Sequence, residues 1–147
     1  MSITLFFLWW LEVKIEIFHQ EKEDKDYSYI KQEYIGRIEK YCDFSIVNTH
    51  PLKDEKSFFI LITDLGEDIS SEILSKKIDS ILTSAYSKIV FFLLPKNKSE
   101  LNINQRIYFD YELKLSSIES TFDMKFILLL EQVYRCFKIN NGEVYHK

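Results

Sequence analysis

The sequence LLEQVYRCFKINNGEVYHK, from Leu129 to Lys147, combines an apolar helix, an Asn-Asn-Gly stop and a short tail. Apolar side chains recur every three or four residues through it and through the turn before it, which predicts a helix packed on at least one side. The stripe consists of Phe126, Leu129, Leu130, Val133 and Phe137, widened by Ile127 and Leu128. We expect the helix to end at residues 140–142, because Asn and Gly tolerate the left-handed conformation found at helix C-termini.

The rest of the chain predicts strands that alternate with helices. Strand patterns occupy residues 13–18, 44–48, 57–63, 89–94 and 111–115. The third and fourth are continuous apolar runs, typical of parallel strands covered on both faces, and the third is expected to end at residues 64–66. A helix is predicted over residues 26–41, and a second opens at Ser70 with good capping chemistry. The first helix has an apolar stripe of Tyr27, Ile30, Tyr34, Ile38 and Tyr41. The pattern indicates an α/β fold with a mostly parallel sheet.

Composition and charge narrow the class of protein. A chain of 147 residues with 46% hydrophobic residues fits one domain with a real core. The net charge of −4 argues against binding a polyanion over the whole surface, and the charged run at residues 20–26 is interpreted as a solvated loop. Residues 125–147 carry four basic and two acidic side chains, so this region is the most favourable place for a phosphate. Cys42 and Cys136 lack metal-ligand spacing and are interpreted as buried thiols in a reducing cytoplasm; no metal is predicted.

A nearly unbroken run in the terminal stretch resembles the C-terminus of the SPOUT-class ribosomal RNA large subunit methyltransferase H (RlmH) family. It comprises Glu131, Gln132, Val133, Tyr134, Arg135, Phe137, Lys138, Ile139, Gly142, Glu143, Tyr145, His146 and Lys147. The segment EYIGRIEKY, residues 33–41, resembles the family's first helix. The resemblance implies a single SPOUT domain over residues 1–147, with helices on both faces of the sheet and a C-terminal trefoil knot. Family chains begin at a point corresponding to Val13, so residues 1–12 are interpreted as an extension or a misassigned start.

The resemblance also implies an activity: S-adenosylmethionine-dependent methylation at N3 of a pseudouridine in 23S ribosomal RNA, by a cytoplasmic homodimer that acts on the ribosome. It implies cofactor-binding residues at three strand ends, namely Ile62, Gly66, Leu94, Leu115, Ser116, Ser117, Ile118, Glu119, Ser120 and Thr121. His146 is the implied general base, Tyr145 is expected to stack on a base, and Arg135 is expected to pair with a phosphate. Taken alone, each residue also has a simpler interpretation. His146 fits a solvated terminus, Tyr145 a packing cap and Arg135 a charge at a helix C-terminus.

Two positions depart from the family pattern. Leu94-Pro95 stands where the family has a glycine pair, which lets a ligand lie against the main chain. Phe122 stands where the family has a histidine, and the segment 116–121 before it also fits an ordinary serine-rich turn. The alternative hypothesis is therefore a catalytically inactive relative that retains dimerisation and ribosome or RNA binding. A membrane anchor at residues 1–12 is disfavoured, because the apolar run is short and lacks flanking Lys or Arg.

Overall fold

The computed structural model describes residues 13–94, 105 and 107–142, which form a five-stranded parallel sheet and three α-helices. The strands are β1 Lys14–Phe18, β2 Asp43–Val47, β3 Ser57–Glu67, β4 Lys88–Leu93 and β5 Tyr111–Leu113. The helices are α1 Ser28–Ile38, α2 Ser71–Thr83 and α3 Phe122–Asn140, and a 3-10 turn at Lys25–Tyr27 precedes α1. The strand order is β2-β1-β4-β3-β5, and every neighbouring pair is parallel. The predicted α/β alternation is confirmed.

The direction of each connection decides which face of the sheet it covers. The steps from β1 to β2 and from β3 to β4 run the same way along the sheet, so right-handed crossovers place α1 and α2 on one face. Helix α3 contacts both of them on that face. The steps from β2 to β3 and from β4 to β5 run the opposite way, and His50 and Tyr108 from these connections contact phenylalanine rings of the second face. The connection from β2 to β3, residues 48–56, contains no helix. In the connection from β4 to β5, Gln105 is helical, and residues 95–104 and 106 lie outside the described residues.

Strands β3 and β4 are buried on both faces, as their continuous apolar runs predict. The helix-covered face carries the larger core, to which β4 contributes Ile89, Phe91 and Leu93. The second face carries a smaller cluster of Phe18, Phe59, Leu61, Val90 and Phe92. The predicted stripe of α3 is confirmed, because its five central members are each no more than 1% exposed.

Helix α1 differs from its prediction in the residues that it buries. Ile30, expected in the stripe, is 41% exposed, whereas Lys31 is 3% exposed and lies on the same side as the buried Ile38. The helix turns Lys31 inward because two carboxylates, from Glu23 and Asp123, lie within hydrogen-bond distance of its ammonium. The predicted stripe is therefore wrong at Ile30, whereas Ile38 is buried and Tyr34 and Tyr41 pack against the core as expected.

Strand β3 runs to Glu67, past its expected end at residues 64–66. Gly66 makes this extension possible, because a Cβ at that position would lie 2.6 Å from the carbonyl carbon of Leu113 in β5. The register between β3 and β5 shifts between Ile62 and Glu67, so two main chains approach closely beside an irregularity. The start of α2 and the end of α3 are as predicted: the hydroxyl of Ser70 accepts from the N–H of Ile73, and Gly142 has φ 70°. Helix α1 is shorter than its predicted range, residues 26–41.

Candidate active site

Parallel strands end at a common edge, and the ends of β1, β4, β3 and β5 lie there in that order. In open α/β sheets, ligands bind at this edge, where neighbouring connections leave toward opposite faces. The connections that follow β1 and β3 leave toward the helix-covered face, whereas Tyr108, in the described part of the connection that follows β4, packs against Phe59 and Phe92 of the second face. The end of β4 is therefore flanked by two such switch points, which makes it the candidate site.

A small cleft lies on the β3 side of this edge. Its lining comes from the end of β3, the segment after β5 and the first turn of α3: Ile62, Thr63, Asp64, Leu115, Ser116, Ile118, Ser120 and Lys125. The enclosed space is about 10 Å³, enough for roughly one water molecule. The structure thus brings together five of the residues that the resemblance implies for the cofactor: Ile62, Leu115, Ser116, Ile118 and Ser120.

The polar side chains that line the cleft are those of Thr63, Asp64, Ser116, Ser120 and Lys125. Thr63 donates to Glu112 and Ser116 accepts from the N–H of Ile118. Lys125 Nζ lies 3.4 Å from Asp64 Oδ1, and the Asp64 side chain is 56% exposed. Ser120 Oγ is buried and makes no hydrogen bond with any residue that the structure describes. Ile118, by contrast, is an apolar side chain that is 78% exposed beside the cleft. An ammonium, a hydroxyl and apolar walls suit a ligand with both anionic and apolar parts.

The remaining implied cofactor residues lie elsewhere. Gly66 is explained by its approach to Leu113, and Leu94 packs against the phenylalanine cluster of the second face. Ser117 and Glu119 are exposed, and Thr121 caps α3 by accepting from the N–H of Met124 at 3.3 Å. None of these five is among the residues lining the cleft in the described part of the chain.

On the other side of β4, His19 follows β1 directly and is 6% exposed. Its ring packs against Phe122 and Phe126 of α3, with centroid distances of 5.2 Å to each. Nε2 lies 3.7 Å from Glu23 Oε2, whereas the buried Nδ1 makes no hydrogen bond within the described chain. Burial lowers the pKa of His19, and the nearby Glu23 carboxylate offsets only part of this effect. An imidazole from β1 therefore lies against Phe122, the residue that replaces the histidine expected from the resemblance.

Lys31 connects the segment after β1 to the first turn of α3. Its Nζ donates to Asp123 Oδ1 at 2.6 Å and to Glu23 Oε1 at 3.0 Å, and Asp123 Oδ1 also accepts from the N–H of Asp24 at 3.2 Å. Burial alone would lower the pKa of Lys31, but the hydrogen bonds to Asp123 and Glu23 raise it above its usual value. Sequence reasoning missed this cluster, although Lys31, Tyr34 and Ile38 share the helical spacing of one face.

Of the implied catalytic residues, Arg135 lies within the described part, and Tyr145 and His146 lie outside it. The Arg135 guanidinium donates from Nε and Nη2 to Glu131 Oε1, at 2.9 and 2.6 Å, and from Nη1 to Ser71 Oγ at 3.2 Å. It ties α3 to the start of α2, and its contact with a phosphate stays a prediction. Among the described residues, no cluster of His, Cys, Asp and Glu has the makeup of a metal site, and no helix has the length and apolar character needed to cross a membrane.

Comparison with known proteins identifies the class. A family model described as predicted SPOUT methyltransferase matches residues 13–146, which includes the whole sheet, the cleft and α3. A parallel α/β fold with a cleft at the C-terminal edge of its sheet is consistent with that match.

Individual relatives narrow the identification. Ribosomal RNA large subunit methyltransferase H 1 of Thermoanaerobacter sp. (strain X514) is 30% identical over 132 residues, covering 86% of this chain and 92% of the relative. The methyltransferase H of Halothermothrix orenii is 36% identical over 95 residues, covering 63% of this chain and 57% of the relative. The methyltransferase H of Acetivibrio thermocellus is 28% identical over 150 residues, covering 81% of this chain and 91% of the relative. The chain belongs to the ribosomal RNA large subunit methyltransferase H family of SPOUT methyltransferases, as the terminal stretch predicts.

Proposed function

We propose that the protein uses S-adenosylmethionine to methylate N3 of a pseudouridine in 23S ribosomal RNA, as a homodimer in the cytoplasm with a knotted C-terminal half. The observation that carries the proposal is the cleft at the C-terminal edge, which is lined by both Lys125 and Ser120, whose buried hydroxyl has no hydrogen-bond partner among the described residues. The relatives named as large-subunit methyltransferases support the choice of ribosomal RNA as substrate.

The chemistry of the cleft suits the methyl donor. Ile62, Leu115 and Ile118 offer apolar contacts to the adenosine, the Ser120 hydroxyl can pair with a polar atom, and Lys125 complements the carboxylate. The enclosed space of about 10 Å³ is far below the roughly 300 Å³ of a small ligand pocket. Binding therefore requires segment 115–121 to move outward. Lys125 can exchange partners at little cost, because its contact with the exposed Asp64 is long.

The remaining roles follow from what the reaction needs. The donor supplies a methyl group on a sulfonium, and the ring nitrogen that receives it must lose a proton. His146 is the proposed base because the ordinary pKa of histidine lies near neutrality. Tyr145 would stack on a base, and Arg135 would bind a phosphate by exchanging its hydrogen bond to Ser71.

Titration calorimetry with S-adenosylmethionine tests the binding step. Saturable binding is expected for the natural chain, weaker by roughly fivefold for Ser120→Ala, which loses one hydrogen bond, and by roughly tenfold or more for Lys125→Met, which loses a charged one. Lys76→Met, which removes an exposed lysine of α2, is the matched control and should bind like the natural chain. Equal affinity in all four proteins would contradict the assignment of the cleft.

The inactive relative is the second candidate, and the small enclosed volume of the cleft favours it. No saturable heat with millimolar S-adenosylmethionine would decide for that candidate. For the full reaction, the 23S ribosomal RNA of cells with and without the gene is compared by mass. Loss of one methyl group from a pseudouridine on deletion supports the proposal, and identical masses contradict it.

A further inference from the structure

The ring of His19 packs between the end of β1 and the first turn of α3. It is 6% exposed, and its centroid lies 5.2 Å from the ring centroids of both Phe122 and Phe126. Its buried Nδ1 makes no hydrogen bond with any residue that the structure describes. A neutral imidazole is compatible with these surroundings, whereas an imidazolium has two N–H donors and a charge that need water or a carboxylate. The contact between β1 and α3 therefore suits the neutral ring.

The carboxylates near the ring are already paired with another cation. The charged groups around His19 are Glu21 and Glu23 of the segment after β1, Lys31 of α1 and Asp123 of α3. Glu23 faces Nε2 at 3.7 Å, but its other oxygen lies 3.0 Å from the Lys31 ammonium. Asp123 lies 2.6 Å from the same ammonium. A positive charge on the ring would thus compete with Lys31 for Glu23 and would also be repelled by Lys31.

The two aromatic rings that cover His19 are held differently. Phe126 is fully buried in the larger core, together with the apolar residues of the next turns of α3. Phe122 is the first residue of α3 and is only partly buried. Opening of the first turn would therefore expose His19 to water while the rest of the helix stays packed. The ion pair of Asp123 with Lys31 keeps this turn closed as long as the ring is neutral.

We propose that His19 acts as a pH-sensitive switch: its neutral ring holds the first turn of α3 against the end of β1, and uptake of a proton from solvent opens that turn. Nε2 faces Glu23, so the added proton occupies Nδ1. The inference does not rest on the proposed function. Because the same turn carries Lys125, a lining residue of the cleft, acid also loosens one wall of the cleft.

Acid shifts the balance between the closed and the open turn in one direction. In the open turn the ring is in water and takes up a proton near the ordinary histidine pKa of about 6.5. In the closed turn burial lowers the pKa of His19, so the closed state binds the proton less readily. The closed turn therefore loses stability as pH falls from the ordinary pKa to the lowered one. Over that range the open fraction should rise by up to about tenfold per pH unit.

Hydrogen exchange of single amides, followed by NMR from about pH 7.5 to pH 5, tests the switch because this range spans the ordinary histidine pKa. The reporters are the N–H groups of Met124 and Lys125, which donate to the Thr121 side chain and carbonyl. The comparison protein is His19→Phe, which keeps a ring at this position but takes up no proton. The ratio of the two proteins' exchange rates at each pH cancels the intrinsic exchange rate.

The first turn of α2 is the internal control. There the N–H groups of Ile73 and Leu74 donate to the Ser70 side chain and carbonyl, in the same arrangement. As pH falls, the ratio of natural chain to His19→Phe should rise by up to about tenfold per pH unit in the first turn of α3 and stay constant in that of α2. His50→Phe, at an exposed histidine on the second face, should respond like the natural chain.

A ratio that does not change with pH in the first turn of α3 would overturn the inference, because a packing role alone predicts a constant difference. An equal rise in both first turns would also overturn it, since acid would then act on the whole fold. The ring signals of His19 in the natural chain give a check that needs no variant. They should titrate below about 6.5, and titration at or above that value would contradict the switch.

Discussion

Neutralising Asp123 is expected to weaken the fold strongly, because this carboxylate is the nearest partner of a buried ammonium. Lys31 is 3% exposed and the Asp123 side chain 14%, and their charged atoms lie 2.6 Å apart. In Asp123→Asn, Lys31 keeps Glu23 at 3.0 Å, but that side chain is 43% exposed and better solvated. The substitution leaves an ammonium inside the protein with half of its charge compensation.

The magnitude follows from this geometry. Removing one partner of a buried ion pair costs about 3 to 5 kcal/mol, and we expect the lower end, about 3 kcal/mol, because Glu23 remains. For a chain of 147 residues the unfolding entropy is about 0.3 kcal/mol/K. The midpoint of thermal unfolding should therefore fall by roughly 10 °C.

Urea and thermal unfolding measure the change, with Glu72→Gln as the control. Glu72 is an exposed acid in the first turn of α2, as Asp123 is an acid in the first turn of α3. The control loses only the interaction with the helix dipole, about 0.3 to 1 kcal/mol. If Asp123→Asn costs no more than Glu72→Gln, the ion pair does not stabilise the fold as argued.

The pH dependence has a definite sign. Burial alone would raise the pKa of Asp123, but the hydrogen bond from Lys31 lowers it below its usual value. The folded state therefore binds the proton less readily than the unfolded state. The contribution of the Asp123 carboxylate to the free energy of unfolding is fully present above the ordinary pKa of an aspartate. It is lost as pH falls through the lowered pKa that Asp123 has in the folded state. The stability difference between the natural chain and Asp123→Asn should shrink over that acid range.

Two further predictions concern the glycines and the thiols. Gly66→Ala should destabilise the protein by roughly 1 to 3 kcal/mol in urea unfolding, because the added Cβ meets the main chain of Leu113. Gly36→Ala, where a Cβ meets no described atom within 4 Å, should instead stabilise α1 by about 0.5 to 1 kcal/mol, and equal effects at the two sites would contradict the close approach. Burial raises the pKa of Cys42 and Cys136 to about 12, so both thiols should react with a thiol reagent near pH 8 only after unfolding in urea. Rapid labelling of the folded protein would contradict their burial.

The fold was largely predictable because its signals are local. The stripe of α3 and the apolar runs of β3 and β4 depend on short-range periodicity, and all three appear as predicted. The extension of β3 through Gly66 was not predictable, because it depends on Leu113, far along the chain. Burial of Lys31 was missed for a similar reason: one of its two partners, Asp123, lies 92 residues away. Hydrophobic periodicity carries no information about such a pairing.

The candidate site was predictable only in part. Four of the residues that the resemblance implies in the segment after β5 line one cleft with the end of β3, and their role in binding stays a prediction. The resemblance did not indicate that His19 packs against the first turn of α3, which depends on the position of β1 beside β4. The strand order that makes β1 and β4 neighbours is a tertiary property, and a single histidine after an alternating strand carries no signal of it.

The first turn of α3 connects the two sides of the site. Phe122 and Phe126 contact His19 after β1, whereas Lys125 pairs with Asp64 in β3. Because β1 and β3 flank β4, this turn spans the end of β4, which Leu94 and Pro95 follow in the sequence. Under the proposed function, a ligand beside that end is held by side chains of β3, of the segment after β5 and of α3. Such contacts do not require the main-chain approach that a glycine pair provides, so loss of the glycines and retention of binding are physically compatible.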